Sequence, residues 1–456
     1  MSKIYIPSTE VIFTISDSKW QRVYDAAVKT EKGNVWNFCG RNVLIEGGPY
    51  KGLWLETQPM GGDMYAKRNV EVALNNQLFF MENIREDGRL PSVIRKKDSG
   101  LDLMYSHFQG YCFPYHALNV YYWIGKNDEY LKFLLDTLTR FDDYLWKTRD
   151  SDGDGCLELW CRWDTGEDNS TRMEGAPNAW GEEYPPEGMG KVPFESMDIM
   201  AYSYDGRKTV SEIYGILGDE TNSKLWEAKA EAVAAKIRKY LWIEEKNACF
   251  DRDFNNEFMD VLIHNNLRLM YHGAFTQDMA DRFVKNHLLN PEEFWTPMPL
   301  PSIAVNESLF RNNKKNDWSG QPEGLTYQRA IRALENYGYF DIIPKLGHKL
   351  CDAIALNDPV LFTQQFDPFT CEPSVGEGND YGPTILAFLE YTAHMYGVYK
   401  HRDSIIWNMA EFGHWEYTQI IDGKKYTLSA DGDVGTCLVD NDIVAKIKPG
   451  ERYVLN

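Results

Sequence analysis

The stretch C-R-W-D-T-G-E-D-N-S-T-R, residues 161–172, lies between two long segments of helical pattern and has no hydrophobic period of its own. It holds three acids, two arginines and one tryptophan, with a glycine that permits a turn. The missing period predicts a loop, and a loop of acids and aromatic rings between helices is where a scaffold would place chemistry. An exposed, solvated acidic loop would have much the same composition. Features elsewhere in the chain are therefore needed to distinguish a functional loop from a solvated surface loop.

The composition indicates a large folded protein whose partners are not nucleic acids. Of the 456 residues, 43% are hydrophobic and 14% are aromatic, including 14 Trp and 27 Tyr. Such side chains fill a core, and they also line sites where sugar rings stack. The formal net charge of -20 argues against nucleic acid and anionic membranes as partners, because their phosphates would be repelled.

The sequence shows no targeting or membrane segment. The first residues, M-S-K-I-Y-I-P-S-T-E, contain no basic segment followed by an apolar run, so no signal peptide is predicted. No apolar stretch approaches the ~18 residues of a membrane span. We therefore expect a soluble, cytoplasmic protein with no membrane partner, and the sequence leaves open whether it forms homo-oligomers.

Cysteine and histidine spacing predicts no metal site and no cofactor. The eight Cys lack a C-x-x-C pair and the nine His form no H-E-x-x-H, so we expect reduced thiols. Neither common Gly-rich phosphate loop is present. In R-D-S-D-G-D-G, residues 149–155, the three aspartates and Gly155 match the first half of a calcium loop, but Cys161 stands where the bidentate Glu is needed. A D-G turn accounts for this motif better, and calcium stays an open alternative.

Helical periodicity dominates the chain up to about residue 400. Apolar residues recur at three- and four-residue spacing in about eleven segments, near residues 17–29, 66–84, 110–125, 128–149, 194–217, 220–241, 257–272, 278–287, 324–337, 340–355 and 383–399. In segment 220–241 we expect Leu225, Ala228, Ala232 and Ile237 to form the buried face. From Glu416 onward, polar and apolar residues alternate between D-G and P-G turn signals, which predicts β-strands.

The arrangement of these segments favours a closed ring of helix hairpins. They form antiparallel-looking pairs, and long loops recur at one end of each pair. No fixed repeat of the solenoid kind is present, so closure is the remaining solution. The prediction is a mainly α fold, an (α/α)6 barrel or six-hairpin toroid with a small C-terminal β segment. We place the catalytic domain, with an N-terminal extension, at residues 1–415, and the β-rich segment packed on it at 416–456.

Carboxylates and aromatic rings are the groups that remain to carry chemistry. Glycoside hydrolysis with inversion needs one carboxylic acid to protonate the leaving oxygen and a second carboxylate to activate water, ~6.5–9.5 Å away. Asp168 is the candidate acid, because a neighbouring acid and partial burial would raise its pKa as that role requires. Several tryptophans lie in or beside loops, where they could stack on a sugar: Trp36, Trp54, Trp160, Trp163, Trp180 and Trp318.

Four segments resemble one known family, in that family's order. They are L-W-L-E-T-Q-P-M at 53–60, T-G-E-D-N-S-T-R at 165–172, the stretch 317–338 that begins D-W-S-G-Q-P-E-G, and F-T-Q-Q-F-D-P-F-T at 362–370. They resemble the sugar-binding loop, the acid loop, the W-R-G-P-x-W loop and the base segment of inverting glycoside hydrolases with a six-hairpin α-toroid. That family includes trehalase, processing α-glucosidase I, mannosylglycerate hydrolase and, more distantly, glucoamylase.

The resemblance implies a function and a set of site residues. It implies an inverting exo-glycosidase for α-linked gluco- or manno-configured di- or oligosaccharides or small glycosides, with Asp168 as the general acid. Residues in or near the matching segments would then lie around the sugar: Trp54, Glu56, Gln58, Trp163, Arg172, Trp318, Gln321 and Tyr381. The departures from the family pattern are Glu56 for Asp, Thr171 for Pro, Glu323 for the second Trp of its loop, and Tyr381 for a later Trp.

The family's base position falls on Gln364, and an amide cannot take a proton from water as a carboxylate does. Three accounts stay open. Either the base has moved to Glu323 or Glu377, or a Glu has been changed to Gln, or the protein binds carbohydrate without hydrolysing it. A toroid of the epimerase or lyase class is less favoured, because such chemistry would want paired histidines and only His107 and His116 stand close in sequence.

Overall fold

The computed structural model describes residues 4–374 and 378–456, and these residues are rich in helix. Their α-helices are α1 Ser18–Gly33, α2 Gln58–Tyr65, α3 Val70–Glu82, α4 Phe113–Trp123, α5 Asp128–Thr148, α6 Met197–Ile216, α7 Glu220–Lys236, α8 Asn265–His272, α9 Gln277–Phe283, α10 Gly324–Glu335, α11 Ile342–Ile354 and α12 Gly382–Tyr396. None of the helices in these ranges is long and apolar enough to cross a membrane.

Short strands occur among the helices, and a continuous region of strands forms the C-terminal end. The first ten are β1 Thr9–Ile15, β2 Val35–Phe38, β3 Arg41–Leu44, β4 Gly52–Trp54, β5 Val93–Lys97, β6 Gly100–Met104, β7 Glu158–Leu159, β8 Phe194–Glu195, β9 Trp242–Ile243 and β10 Ala248–Cys249. The C-terminal strands are β11 Val398–His401, β12 Ser404–Met409, β13 Gly413–Ile421, β14 Lys424–Gly432, β15 Val434–Val439, β16 Asp442–Ile447 and β17 Glu451–Leu455.

The even-numbered helices contact one another in chain order. α2 packs against α4, α4 against α6, α6 against α8, α8 against α10 and α10 against α12. Helix α12 then contacts α2, so the series of contacts returns to its start. Odd-numbered helices pack against even-numbered ones: α3 on α2, α5 on α4, α7 on α6, α11 on α10 and α12, and α1 on α12.

Burial separates these two sets of helices. Helix α12 buries every residue from Gly382 to Tyr396, as expected of a helix enclosed on all sides. Helix α7 buries one narrow face, formed by Trp226, Ala230, Val233 and Ala234. The face predicted for α7 is therefore wrong, because Leu225, Ala228 and Ala232 are exposed and only Ile237 is buried. Two stripes in this alanine-rich helix have similar spacing, and the large apolar surface of Trp226 decides which one faces the core.

The C-terminal strands form two antiparallel sheets. One has the order β1-β13-β14-β15-β16, in which β1 pairs with β13 from Thr9↔Ile421 to Ile15↔Trp415, and the other has the order β11-β12-β17. The strands thus begin at Val398, and the boundary predicted at residue 416 falls within β13. Strand β12 was not predicted, because five of its six residues are buried in succession. The strand therefore lacks the alternation of polar and apolar residues that marks a strand with one solvated face.

Two cavities lie at the two ends of the even-numbered helices. Residues that shortly precede helix starts, including Glu56, Gln109, Trp318 and Tyr381, line the first, which we name the N-terminal cavity. Residues near the helix ends line the second, the C-terminal cavity, together with residues of β11, β12 and β17; they include Asp63, Trp123, Glu335, His394, Tyr399, Ile406 and Arg452.

Candidate active site

The N-terminal cavity has a volume of about 270 Å³ and a wall of carboxylates, amides and aromatic rings. Seven residues predicted from the sequence lie in this wall: Trp54, Glu56, Trp163, Asp168, Trp318, Gln364 and Tyr381. Eight further residues complete the lining: Glu46, Tyr50, Val93, Arg95, Met104, His107, Gln109 and Gly166. The cavity therefore brings together side chains that are up to 335 positions apart in sequence, from Glu46 to Tyr381.

Two of the three acids of the loop 161–172 hold the loop in place. Asp164 is fully buried, and its carboxylate accepts hydrogen bonds from the backbone N–H of Phe108 (2.9 Å) and from Arg149 Nη1 (2.7 Å). Burial alone would raise the pKa of Asp164, but Arg149 and the backbone N–H groups hold it below the ordinary value. Asp164 is thus an ionised anchor of the loop.

Glu167 is the second anchor of the loop, and its carboxylate forms a salt bridge with Arg172. Arg172 donates to Glu167 Oε2 from Nε (3.0 Å) and from Nη2 (2.7 Å), and its side chain also pairs with Asp251. Burial opposes ionisation of Glu167, yet Arg172 and Arg268 hold its pKa well below the ordinary value. Arg172, predicted to bind the sugar, is therefore 3% exposed and held within a salt bridge network outside the cavity lining.

Asp168 alone of the three acids lines the cavity. The next residue, Asn169, has a left-handed backbone with φ 57°, a conformation that Asn tolerates. The loop packs on the segment before α10: Trp318 N–H donates to Asp168 O (3.0 Å), Thr171 N–H donates to Ser319 Oγ (2.8 Å), and Arg311 Nη2 donates to Asn169 O (3.1 Å). These bonds fix the Asp168 backbone beside Trp318.

A single asparagine connects Asp168 to the amide at the predicted base position. Asn316 Nδ2 donates to Asp168 Oδ2 (2.7 Å), and Gln364 Nε2 donates to Asn316 Oδ1 (3.2 Å). Tyr50 Oη donates to Gln364 Oε1 (2.9 Å) and accepts from Asn316 Nδ2 (3.0 Å). Asp168 and Gln364 are thus held one carboxamide apart at the same cavity. Neither Asn316 nor Tyr50 was predicted from the sequence, which offers no pattern that marks them.

Glu56 lies deeper, against an arginine of α10. Its carboxylate accepts from Arg329 Nη2 (3.2 Å) and from Gln109 Nε2 (3.2 Å). Burial raises the pKa of Glu56, although Arg329 and Arg268 oppose the rise. The backbone of the acid loop closes over this carboxylate at Gly166, where φ is +75° and an added Cβ would stand 2.0 Å from Glu56 Oε2. Only glycine fits there, so the loop and the carboxylate are positioned by each other.

Glu46 is a cavity carboxylate that the sequence prediction missed. It lies between β3 and β4, in the Gly-rich stretch 34–62, and is 6% exposed. Burial raises the pKa of Glu46 well above its ordinary value, the charge of Glu56 raises it further, and a hydrogen bond with Tyr381 opposes the rise. The unusual composition of that stretch was the available signal, but it singled out no residue.

Glu323, a predicted alternative base, is fully buried and does not line the cavity. It precedes α10, and neither of its carboxylate oxygens has a hydrogen-bond partner among the residues that the structure describes. Burial, followed by the charges of Asp168 and Glu56, raises the pKa of Glu323 well above the ordinary value. The other predicted alternative, Glu377, lies outside the described residues.

Two predicted sugar-binding amides are likewise outside the cavity lining. Gln58 is buried, and its Nε2 donates to the carbonyl of Leu44 (2.9 Å). Gln321 is also buried, and its Nε2 donates to Asn312 Oδ1 (2.7 Å) while its Oε1 accepts from Ser374. In both cases the side-chain amide joins two segments of the protein.

Rings and one neutral histidine complete the wall. Tyr50 lies edge-on to Trp54 and to Tyr381, with ring centroids 5.6 and 6.0 Å away. His107 lies 5.3 Å from Trp163, and burial lowers the pKa of His107 to about 4. The second histidine of the epimerase alternative, His116, lines the C-terminal cavity instead, paired with Asp63 at 2.8 Å. The two histidines therefore do not share a site.

The aspartate loop before the acid loop holds three carboxylates close together. Ligand oxygens of Asp150, Asp152 and Asp154 lie within 4.8 Å of one another. Lys236 pairs with Asp154 at 3.1 Å, and Gly153 and Gly155 have positive φ values of 74° and 83°. The segment thus forms the tight turn expected from its D-G pairs, and it leads directly into β7 and the acid loop.

Comparisons with known proteins agree with this architecture. The model of the mannosylglycerate hydrolase MGH1-like glycoside hydrolase domain matches residues 55–383. A sialidase structure superposes with a TM-score of 0.71 at 12% identity, covering 100% of this chain and 43% of that chain. The GH63 mannosylglycerate hydrolase from Thermus thermophilus in complex with Tris and D-glycerate gives 0.61 at 17% identity, covering 81% and 100%. Neutral trehalase from Saccharomyces cerevisiae gives 0.60 at 13% identity, covering 81% and 80%.

The structural likenesses, all under 25% identity, concern the fold, and this chain spans less than half of the sialidase chain. The family match, by contrast, is a match to the sequence of residues 55–383, which contain the acid loop, the segment before α10 and the Gln364 segment. It covers most of the 456 residues. The chain therefore belongs to the mannosylglycerate hydrolase MGH1-like glycoside hydrolases and is a glycosidase.

Proposed function

We propose that the protein is an inverting exo-glycosidase with Asp168 as general acid, acting on α-linked gluco- or manno-configured di- or oligosaccharides or small glycosides. The observation that carries the proposal is the bridge through Asn316, which joins Asp168 to Gln364 at one cavity with bonds of 2.7 and 3.2 Å. In the family that the sequence resembles, the counterparts of these two positions are the acid and the base.

The fold that we propose for this function is a six-hairpin (α/α)6 toroid. The ring of contacts from α2 through α12 back to α2 supports it, and so does the likeness to neutral trehalase and to the GH63 hydrolase. In such an arrangement the loops that precede the inner helices gather at one end. This explains why the cavity is lined by residues shortly before α2, α4, α10 and α12.

The acid step follows from the surroundings of Asp168. Asp168 is half-buried, and the acids beside it on the loop are locked in salt bridges. Protonated Asp168 would give its proton to the glycosidic oxygen as the bond to the anomeric carbon breaks. Inversion also needs a water molecule on the opposite face of the sugar, activated by a second group ~6.5–9.5 Å from the acid, and Asn316 separates Asp168 from the side chain at the family's base position.

The substrate class follows from the size and lining of the cavity. A cavity of about 270 Å³, lined in part by Glu56, which pairs with Arg329, suits a single terminal sugar ring. Glu56 would accept hydrogen bonds from the hydroxyls of the sugar ring, and Gln109 would donate hydrogen bonds to them. Trp54 and Trp318 would pack on the apolar faces of the ring. The Thermus hydrolase was solved with D-glycerate, which favours small glycosides among the candidate substrates.

A second candidate function is carbohydrate binding without hydrolysis. The amide of Gln364 favours it, because its two hydrogen bonds to Tyr50 and Asn316 hold a group that cannot activate water at the family's base position. This candidate predicts sugar affinity with no turnover, even when Gln364 is replaced by Glu.

The test compares the protein with its Gln364→Glu variant on α-linked disaccharides and aryl α-glycosides, with the released sugar followed by anomer-resolved NMR. We expect the protein itself to release the β-anomer first, which is inversion. Turnover by the Glu variant alone would mean that position 364 is the base and that Gln has disabled it. Binding without turnover by either protein would contradict the proposal and favour the binding function.

A further inference from the structure

The proposed glycosidase has an acid but no obvious group to activate water, because Gln364 cannot accept a proton from it. We propose that Glu46 is the carboxylate that deprotonates the attacking water, in the role that Gln364 cannot fill. The inference rests on the proposed function, and it concerns a residue that lies outside the four segments of family resemblance, nine positions before the family match begins at residue 55.

Glu46 belongs to the same wall of the cavity as Gln364. The loop that carries Glu46 is joined to the Gln364 side at three points: Gly382 N–H donates to Glu46 O (2.7 Å), Gly48 N–H donates to Asp380 O (3.2 Å), and Tyr50 Oη donates to Gln364 Oε1 (2.9 Å). Asp168 comes from a separate loop that packs on Trp318 and Ser319. The two carboxylates are therefore supplied by different loops that line the same cavity.

The other candidate carboxylates have positions or partners that exclude the role. Of the carboxylates that line the cavity in the described ranges, Asp168 is the proposed acid and Glu56 is held by Arg329 and Gln109. Glu323 is fully buried outside the lining. Glu46 reaches the cavity, is 6% exposed, and is contacted by the hydroxyls of Tyr381 and Thr57 rather than by a cation.

The surroundings of Glu46 disfavour its charged form, which makes it a stronger proton acceptor once it is ionised. Burial and the charge of Glu56 raise the pKa of Glu46 well above its ordinary value, and the charge of Asp168 contributes to the rise. When Asp168 carries its proton, that last contribution is absent and Glu46 ionises more easily. The state with Asp168 protonated and Glu46 ionised is the one that an inverting pair needs.

The step balances without any further reagent. A water molecule held by Glu46 loses a proton to the carboxylate as its oxygen bonds to the anomeric carbon, and the glycosidic C–O bond breaks with its electron pair moving to the leaving oxygen. Asp168 gives that oxygen its proton. The reaction consumes one water, inverts the anomeric carbon, and leaves Glu46 protonated and Asp168 ionised. Proton exchange with solvent restores both.

The experiment measures the protein and its Glu46→Ala variant on an α-glycosyl fluoride, whose leaving group needs no acid, and on the matching alkyl α-glycoside. We expect Glu46→Ala to lower kcat on both substrates by ~10²–10⁴-fold. Sodium azide should restore turnover of the fluoride by this variant. The product should be the β-glycosyl azide, since azide fits the space of the lost side chain and needs no base. A merely structural role for Glu46 would not produce this azide.

Matched variants separate the possible failures. Glu31→Gln changes another fully buried glutamate, with a pKa raised to about 8, that lies behind Gly382 and does not line the cavity; it should keep full turnover. Glu46→Gln, nearly isosteric, provides the kinetic test if the alanine variant does not fold. Full turnover by Glu46→Gln, a rate loss without azide product, or no turnover of the fluoride by the unmodified protein would each overturn the proposal for Glu46. If one of these outcomes overturns the role of Glu46, the proposed function is still supported when Asp168→Asn loses turnover of the alkyl glycoside.

Discussion

The two cavities at the ends of the even-numbered helices have similar volumes, about 270 and 340 Å³, but opposite electrostatics. At the N-terminal cavity, burial raises the pKa of Glu46 and Glu56, and of Glu323 behind the wall. At the C-terminal cavity burial acts in the same direction, yet Lys67 and His394 hold the pKa of Glu390 at about 2, and His394 and Arg452 hold the pKa of Glu335 low.

Cavity volume therefore does not distinguish the two ends of this protein, whereas the pKa shifts of their buried acids do. Glu390 is ionised because Lys67 lies beside it, and this buried pair serves packing. A buried acid next to other acids keeps a perturbed pKa at a cost in stability, and such groups concentrate where chemistry takes place. The predictions below test this division between a structural and a chemical end of the molecule.

The largest expected effect lies at the structural end. Lys67→Met removes the ammonium that stands 2.8 Å from both oxygens of Glu390, and so leaves a buried charge with its main cation gone. We expect the free energy of unfolding to fall by ~3–5 kcal/mol while kcat stays unchanged, as measured by urea unfolding and by hydrolysis of an α-glycoside. The double variant with Glu390→Gln should recover most of the stability. A fall in kcat without a loss of stability would contradict the division.

A smaller change in stability, with loss of activity, is expected at the chemical end for Gly166→Ala. The added Cβ would stand 2.0 Å from Glu56 Oε2 at a φ of +75°, so it must displace the carboxylate from the cavity. Gly153→Ala is the matched control, because its φ is +74° and nothing lies within 4 Å of the added atom. Both should lose ~1–2 kcal/mol from the left-handed backbone, but only Gly166→Ala should raise KM for the sugar strongly. Equal kinetics in the two variants would show that Glu56 does not hold the substrate.

The smallest effect is a difference in sign between two pH dependences of stability. The pKa of Glu323 is higher in the folded state, so the wild type loses stability as the pH rises above 4.5. Above this pH, the free energy of unfolding of Glu323→Gln should therefore rise relative to that of the wild type. The pKa of Glu390 is lower in the folded state, so its contribution is present above pH 4.5 and disappears as the pH falls toward about 2. The deficit of Glu390→Gln should therefore shrink in acid. Unfolding curves between pH 3 and pH 9 would reveal the opposite slopes, and slopes of the same sign would contradict the account.

Much of the chemical end could be predicted from local sequence. The loop 161–172 carries its acids in a compact, aperiodic segment, and Trp54, Glu56 and Trp318 lie in short motifs that a known family shares. The structure places these three side chains and Asp168 in one cavity wall, whereas Arg172 of the same loop lies outside it. The order of eleven helices was predictable because each carries its own apolar period, whereas α2 was not predicted, since its sequence Q-P-M-G-G-D-M-Y has no such period.

What the sequence could not supply depends on contacts between distant segments. Glu46 and Tyr50 reach the site because backbone hydrogen bonds join their loop to residues 380–382, and no local pattern encodes that pairing. Gln58 and Gln321 lie in the motifs that resemble the family, but their side-chain amides hydrogen-bond to other segments of the protein and do not line the cavity. Strand β12 lacked its alternation because both of its faces are covered. In each case tertiary packing decided what the residue type left open.

The central claim, that Asp168 is the proton donor of an inverting glycosidase, is tested most directly by Asp168→Asn. Its kcat should be compared for an alkyl α-glycoside and for the corresponding α-glycosyl fluoride, with Glu174→Gln, an exposed change just after the same loop, as the control. The account predicts a ~10²–10⁴-fold loss on the alkyl glycoside, little loss on the fluoride and no loss in the control. Unchanged hydrolysis of the alkyl glycoside, or an equal loss on both substrates, would contradict it.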